Sequence, residues 1–203
     1  FSFSTPVQEI PKEALDVILY GTGKEHKPRV ESGYQEFFGP MSGGIDYFTH
    51  KDPAGVHDLF EGETEVERIG YVTDLISDRA VEFIGRAHAR PFLLSVHYTA
   101  PHWPWETRDD AHLSADVHAR LFHLDGGSID TYRRMIHHMD EGIGQVAAAL
   151  EAAGLLEDTL IVFTSDNGGE RFSDVWPFTG QKTELLEGGI RVPFFIRWPA
   201  RIK

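Results

Sequence analysis

Residues 128–169 read SIDTYRRMIHHMDEGIGQVAAALEAAGLLEDTLIVFTSDNGG, and this stretch decides the fold class. Ile129, Tyr132, Met135, Ile136, Met139, Ile143, Val146 and Leu150 recur at three- and four-residue steps, which gathers them on one face of a helix. Ser128 stands where a capping oxygen is needed, and Gly154 stands where a left-handed terminal residue is needed. The spacing predicts a helix from residue 128 to about 153. The next apolar run, TLIVFT at 159–164, is rich in β-branched and aromatic residues and predicts a strand. A helix feeding an apolar strand is the repeating unit of α/β folds.

The same alternation extends outward on both sides. Val72, Leu75, Ile76, Ala80, Phe83, Ile84 and Ala87 predict a helix within residues 64–88, with Thr64 or Thr73 as its cap. PFLLSVH at 91–97 and VPFFIRW at 192–198 read as buried strands, each with a proline at or near its start. LDVILY at 15–20 is a short strand or a helix end. Residues 33–50 and 99–127 read as loops punctuated by glycine and proline. A long loop inside a compact domain is usually a functional one. The expected architecture is therefore α/β, a largely parallel sheet flanked by helices, without internal repeats.

Composition narrows the function. The 203 residues hold 19 Lys+Arg against 32 Asp+Glu, a formal charge of −13. That argues against nucleic acid and anionic membranes as partners. A small anionic substrate is still admissible, because it feels a local cluster rather than the net charge. No apolar run approaches the roughly 20 residues of a membrane helix. With 14 Phe, 6 Tyr and 4 Trp, there is ample surface to bury. Cysteine is absent, so disulfides, thiolate metal sites and cysteine nucleophiles are excluded within these residues. The chain opens at Phe1 without a basic and apolar leader, and its compartment is not legible.

Ligands of open α/β sheets bind beyond the carboxyl ends of the strands. The strand at 159–164 ends in Ser165-Asp166-Asn167-Gly168-Gly169. Asp166 and Asn167 offer adjacent hard oxygen donors suited to calcium or magnesium, and the same residues also suit an ordinary Asx turn. The strand at 91–97 runs into Pro101-His102-Trp103-Pro104-Trp105-Glu106. A rigid imidazole there can donate to an anion or a leaving group, or it can be a packed loop histidine. Lys182 follows on a loop and either neutralises developing charge or is solvated. Gly23-Lys24-Glu25-His26 places two cationic groups after glycines, without the spacing of a P-loop. His137 and His138 are adjacent on a helix, about 100° apart, and cannot chelate one metal. His97, His112, His118 and His123 show no ligand spacing.

Taken in order, GYQEFFGPMSGGIDYFTH, PFLLSVHYTAPHWPWE, YRRMIHHMDEGIGQVAAALEAAGLLEDTLIVFTSDNGGE and GQKTELLEGGIRVPFFIRWP resemble a type I sulfatase of the arylsulfatase kind. The resemblance covers residues 21–203, while residues 1–20 match poorly. It implies an alkaline-phosphatase-like α/β fold, incomplete here. It also implies hydrolysis of small-molecule sulfate monoesters at a calcium site through a formylglycine nucleophile. By that resemblance Asp166 and Asn167 are calcium ligands. His102 contacts the sulfate or assists the leaving oxygen, and Lys182 binds the sulfate. Lys24 and His26 match the Gly-Lys-Trp-His element that holds nucleophile and sulfate, with Glu25 in place of Trp.

The departures from the family pattern are as informative. The formylglycine motif is Cys/Ser-x-Pro-x-Arg, whereas Ser4-Thr5-Pro6-Val7-Gln8 ends in Gln and lies close to Gly23-Lys24. The family's first strand with its paired aspartates, and its C-terminal subdomain, are not found in the sequence. The expectation is a partial sulfatase catalytic domain over residues 1–203, inactive by itself. A phosphate or phosphonate ester hydrolase of the same superfamily, or a non-catalytic sulfatase-like binding module, are the alternatives. Trp103, Trp105 and Trp176 are expected either to line a sugar or aryl pocket or to pack.

Overall fold

The computed structural model describes residues 34–42, 44–114 and 126–202. In chain order the elements are β1 (Phe38–Gly39), β2 (Phe60–Glu61), β3 (Thr64–Glu65), helix α1 (Val72–Gly85), helix α2 (Ile129–Ala152), β4 (Ile161–Thr164), the short helix α3 (Glu187–Ile190) and β5 (Phe194–Arg197). Two single 3-10 turns, Ala111–Leu113 and Leu156–Asp158, join them.

Helix α2 forms where its periodicity and caps place it. Ser128 Oγ accepts from the Thr131 amide at 3.0 Å, a cap that stabilises a helix by about 1 kcal/mol. Gly154, at φ 69°, closes the other end, its amide reaching Glu151 O at 2.9 Å. Met135, His138, Gly142 and Leu150 are its buried face. Helix α1 packs against it, and Gly142 allows a close approach. A β-carbon there would lie 2.2 Å from Ser77 Oγ.

The start of α1 differs from the expectation. Residues 64–65 pair with 60–61 in an antiparallel hairpin, with Gly62 at φ 59° in the turn. That ladder takes the backbone groups a helix would have used, so α1 begins at Val72 behind Tyr71, and neither Thr64 nor Thr73 caps it.

The sheet also differs. β4 and β5 form where expected, but they pair antiparallel, from Ile161↔Arg197 to Thr164↔Phe194. Every pairing among the described residues is antiparallel. Residues 91–97 form no ladder, although Phe92, Leu94 and Val96 turn inward while Leu93, Ser95 and His97 turn outward. That alternation is a strand's period of two. An apolar run supplies the period but cannot supply the neighbouring backbone that a ladder needs. The architecture is α/β, and the parallel arrangement is not seen among these residues.

The core lies between α1, α2 and two loops. Tyr47, Tyr71, Val72, Ile76, Ala100, Trp105 and Met135 form its buried cluster. Tyr47 and Tyr71 stack with centroids 5.0 Å apart, and His138 meets Tyr71 edge-on at 5.9 Å. His138 is thus a packing residue, and its exposed neighbour His137 pairs with Glu141 at 3.3 Å. Arg108 ties the two helices together on the outside, with Asp74 of α1 at 2.6 Å and Glu141 of α2.

Candidate active site

The loop that follows residues 91–97 presents His102. Its amide donates to Thr99 O at 2.8 Å, and its own carbonyl accepts from the Tyr47 hydroxyl at 2.9 Å. Pro101 and Pro104 restrict the backbone on either side. The ring lies 4.6 Å from that of Trp103 and is half-buried. Nδ1 sits 2.6 Å from the Trp103 carbonyl. A carbonyl oxygen only accepts, so Nδ1 carries the proton and Nε2 is the nitrogen left for chemistry. Burial holds the imidazole below the usual histidine range, with Lys182 pushing the same way. The Trp103 carbonyl, Glu170 and Asp166 act against that shift. The resting imidazole is therefore neutral at neutral pH.

The second wall is the segment after β4, knitted to two later loops by backbone hydrogen bonds. The Gly168 amide donates to Gly189 O at 2.8 Å, the Lys182 amide to Gly169 O at 2.7 Å and the Gly188 amide to Thr179 O at 2.8 Å. Glycine is required where these backbones cross. A β-carbon on Gly168 would lie 2.1 Å from Gly188 O, and one on Gly188 would lie 2.1 Å from Gly180 O. Neither carbonyl can rotate away as a side chain would. Gly168→Ala is accordingly expected to cost about 1–3 kcal/mol of stability or more, read as a lowered urea midpoint. An unchanged midpoint would show that the crossing is looser than described.

This knit places the other predicted residues. Lys182 is mostly buried, with Nζ 3.5 Å from Glu170 Oε2. Asp166 is exposed and Asn167 half-buried, beside the Ser165 hydroxyl that donates to Asn167 O at 3.1 Å. Lys182, Glu170 and Asp166 all bias the titration of His102, so the three loops face one locality. A polar cleft of about 370 Å³, bounded by Glu170, Ser173, Gly180 and Gln181 among others, adjoins it. Lys24 and His26 lie outside the described residues.

Asp166 and Asn167 suit a hard cation in kind but fall short in number. Two protein oxygens are far fewer than the six or more a calcium ion takes. Among the described residues no group of three His, Cys, Asp or Glu side chains is placed to hold a metal.

Two features of the site were not singled out from the sequence. One is Glu170, the partner of Lys182, whose only signal is an acidic residue directly after Gly168-Gly169. The other is Glu106, four residues beyond His102 and 1% exposed. Burial, with Asp46 beside it, pushes its carboxyl up to about 8. An acidic residue closing the apolar Trp103-Pro104-Trp105 segment is the available hint. Of the three tryptophans, Trp105 belongs to the core at 5% exposed, Trp103 packs on His102, and Trp176 stands 84% exposed.

The sulfatase family model matches residues 20–203, and the chain belongs to the sulfatase family. It is 28% identical over 175 residues to the uncharacterized sulfatase YdeN of Escherichia coli, covering 81% of this chain and 30% of that protein. It is 30% identical over 181 residues to mouse arylsulfatase J, covering 82% of this chain and 29% of the relative. N-acetylgalactosamine-6-O-sulfatase of Bacteroides thetaiotaomicron is 30% identical over 156 residues, 68% of this chain and 30% of the relative. Among solved structures, Ps i-CgsB in complex with k-i-k-neocarrahexaose superposes with a TM-score of 0.71 at 29% identity, covering 88% of this chain and 42% of that one. The fold is thus the α/β fold of the alkaline-phosphatase-like superfamily. The chain spans about a third of the length of the curated relatives it matches.

Proposed function

We propose that the protein to which this chain belongs hydrolyses sulfate monoesters, with His102 and Lys182 at the reacting group. The observation that carries the reading is that His102, Lys182 and Asp166 stand on separate loops near enough for the imidazole to feel both charges, in a chain of this family. The Lys182 ammonium, half-paired with Glu170, exchanges that carboxylate for a sulfate oxygen and stabilises the charge that develops there. An arriving anion favours the imidazolium, so Nε2 of His102 takes up a proton and delivers it to the leaving alcohol oxygen. By the family resemblance Asp166 and Asn167 would supply two of the ligands of a calcium ion, whose chemistry when bound would be to polarise the sulfate oxygens. Lys24 and His26 are proposed, on the resemblance alone, to hold nucleophile and sulfate. The formylglycine motif has no counterpart in the 203 residues, so these residues alone are expected to leave an aryl sulfate uncleaved.

The proposed substrate class is a sulfated carbohydrate. Its support is the oligosaccharide held by Ps i-CgsB and the exposed Trp176 indole, an apolar platform next in sequence to Val175 of the cleft. Steady-state kinetics of the full protein test both statements, using an aryl sulfate, a sulfated oligosaccharide and a phosphonate monoester. A higher kcat/KM for the phosphonate than for either sulfate would move the assignment to the phosphonate reading. Trp176→Ala is expected to raise KM for the oligosaccharide about three- to tenfold, the value of one stacking contact, while sparing the aryl sulfate. Equal effects on the two substrates would remove the sugar platform.

A further inference from the structure

The His102 loop is pinned at both ends by one residue of a distant loop. The Tyr47 hydroxyl donates to the carbonyl of His102 at 2.9 Å, and the Tyr47 amide donates to Glu106 Oε2 at 3.2 Å. Tyr47 is fully buried and Glu106 nearly so. We infer that Glu106 and Tyr47 are positioning residues for His102, a brace that spans His102-Trp103-Pro104-Trp105-Glu106 and fixes where the imidazole stands. The inference rests on the sulfatase reading for its kinetic consequence, but not for its geometry.

The rest of the brace is equally defined. The Ser114 hydroxyl donates to Glu106 Oε1 at 3.3 Å, and the Asp46 carboxylate stands beside the Glu106 carboxyl. Two carboxyl groups side by side in a buried place repel unless one keeps its proton. Burial raises the Glu106 carboxyl, so Glu106 is the protonated partner at neutral pH. The backbone carbonyl of Glu106 accepts from the Tyr71 hydroxyl at 2.7 Å, and Tyr71 stacks on Tyr47. Asp46, Tyr47 and Tyr71 are the titratable groups that face it. Burial likewise raises both tyrosines, so both donate. Two tyrosines and two acids therefore hold the far end of the loop that carries His102, and none of them touches the reacting group.

Tyr47→Phe keeps the ring and deletes only the hydroxyl. In the full protein it is expected to lower kcat about 5- to 50-fold with KM within twofold, because small misplacements of a catalytic group are costly. In the same variant the His102 imidazole, followed by NMR, is expected to titrate closer to the ordinary histidine range as water reaches it. Glu106→Ala is expected to do the same. Glu106→Gln, which retains an acceptor for the Tyr47 amide and a donor for Asp46, should restore most of the loss. Unchanged kcat and unchanged His102 titration in Tyr47→Phe would overturn the inference, whatever the effect on thermal stability. Should Glu106→Ala fail to fold, Tyr47→Phe and Glu106→Gln still decide the matter. A wild-type protein inert toward sulfate esters would end the sulfatase reading, and the His102 titration would still test the brace.

Discussion

His102→Ala is expected to lower kcat/KM of the full protein about 10²- to 10⁴-fold, the range for a lost general acid. The loss should depend on the leaving group. A nitrophenolate departs without a proton, so little is lost with that ester. An alkoxide leaving a sugar hydroxyl needs one, and there the full effect appears. Lys182→Ala is expected to cost about 10²- to 10³-fold, with no such dependence, because the ammonium acts on the sulfate oxygens common to every substrate. The two substitutions should combine less than additively if both act in one transition state. A His102→Ala enzyme within fivefold of wild type on the poor leaving group would remove the proton-donor role.

The second large effect is on stability against pH. Glu106 has an ordinary value of 4.5 and is held at about 8 in the folded protein. Below pH 4.5 folded and unfolded chains both carry the proton, and the contribution of the buried acid is fully present. Between 4.5 and about 8 only the folded chain keeps it, so stability falls as pH rises. The slope approaches about 1.4 kcal/mol per pH unit, and the total across the window is on the order of 5 kcal/mol. Glu106→Gln stays neutral throughout and should lose this slope. It should be the more stable protein at pH 8 and gain nothing near pH 4.5. His50 and His102 complicate the acid side, since burial pushes both down and they lose stability as pH falls below the ordinary histidine range. The difference between wild type and Glu106→Gln in urea titrations isolates the carboxyl. Parallel stability curves across that window would show that Glu106 is ionised in the fold.

What was legible from the chain follows from how local each signal is. Helix α2 was readable because its period, Ser128 and Gly154 are contained in one stretch. β4 and β5 were readable from apolar runs of the right length, but their relative direction was not, since direction is a property of the pair. The start of α1 was misplaced because Thr64 and Glu65 look like a helix entry until their partners at 60–61 are known. His102, Lys182 and Asp166 stood out because prolines and glycines mark the loops that carry them. Tyr47 and Glu106 did not, because their meaning lies in a contact across 59 residues. Nothing in the period or punctuation of either loop announces that contact.

The crossing of Gly168, Gly180 and Gly188 has a consequence for how such a site can be changed over time. Because their backbones touch, the loop bearing Asp166 and the loop bearing Lys182 cannot drift apart by separate substitutions. Variation that retains a working cluster is confined to side chains that point away from the crossing, such as Trp176 and Leu185. New substrate preferences in descendants of this protein should therefore accumulate at those outward positions, while the charge-bearing centre is inherited as one indivisible piece.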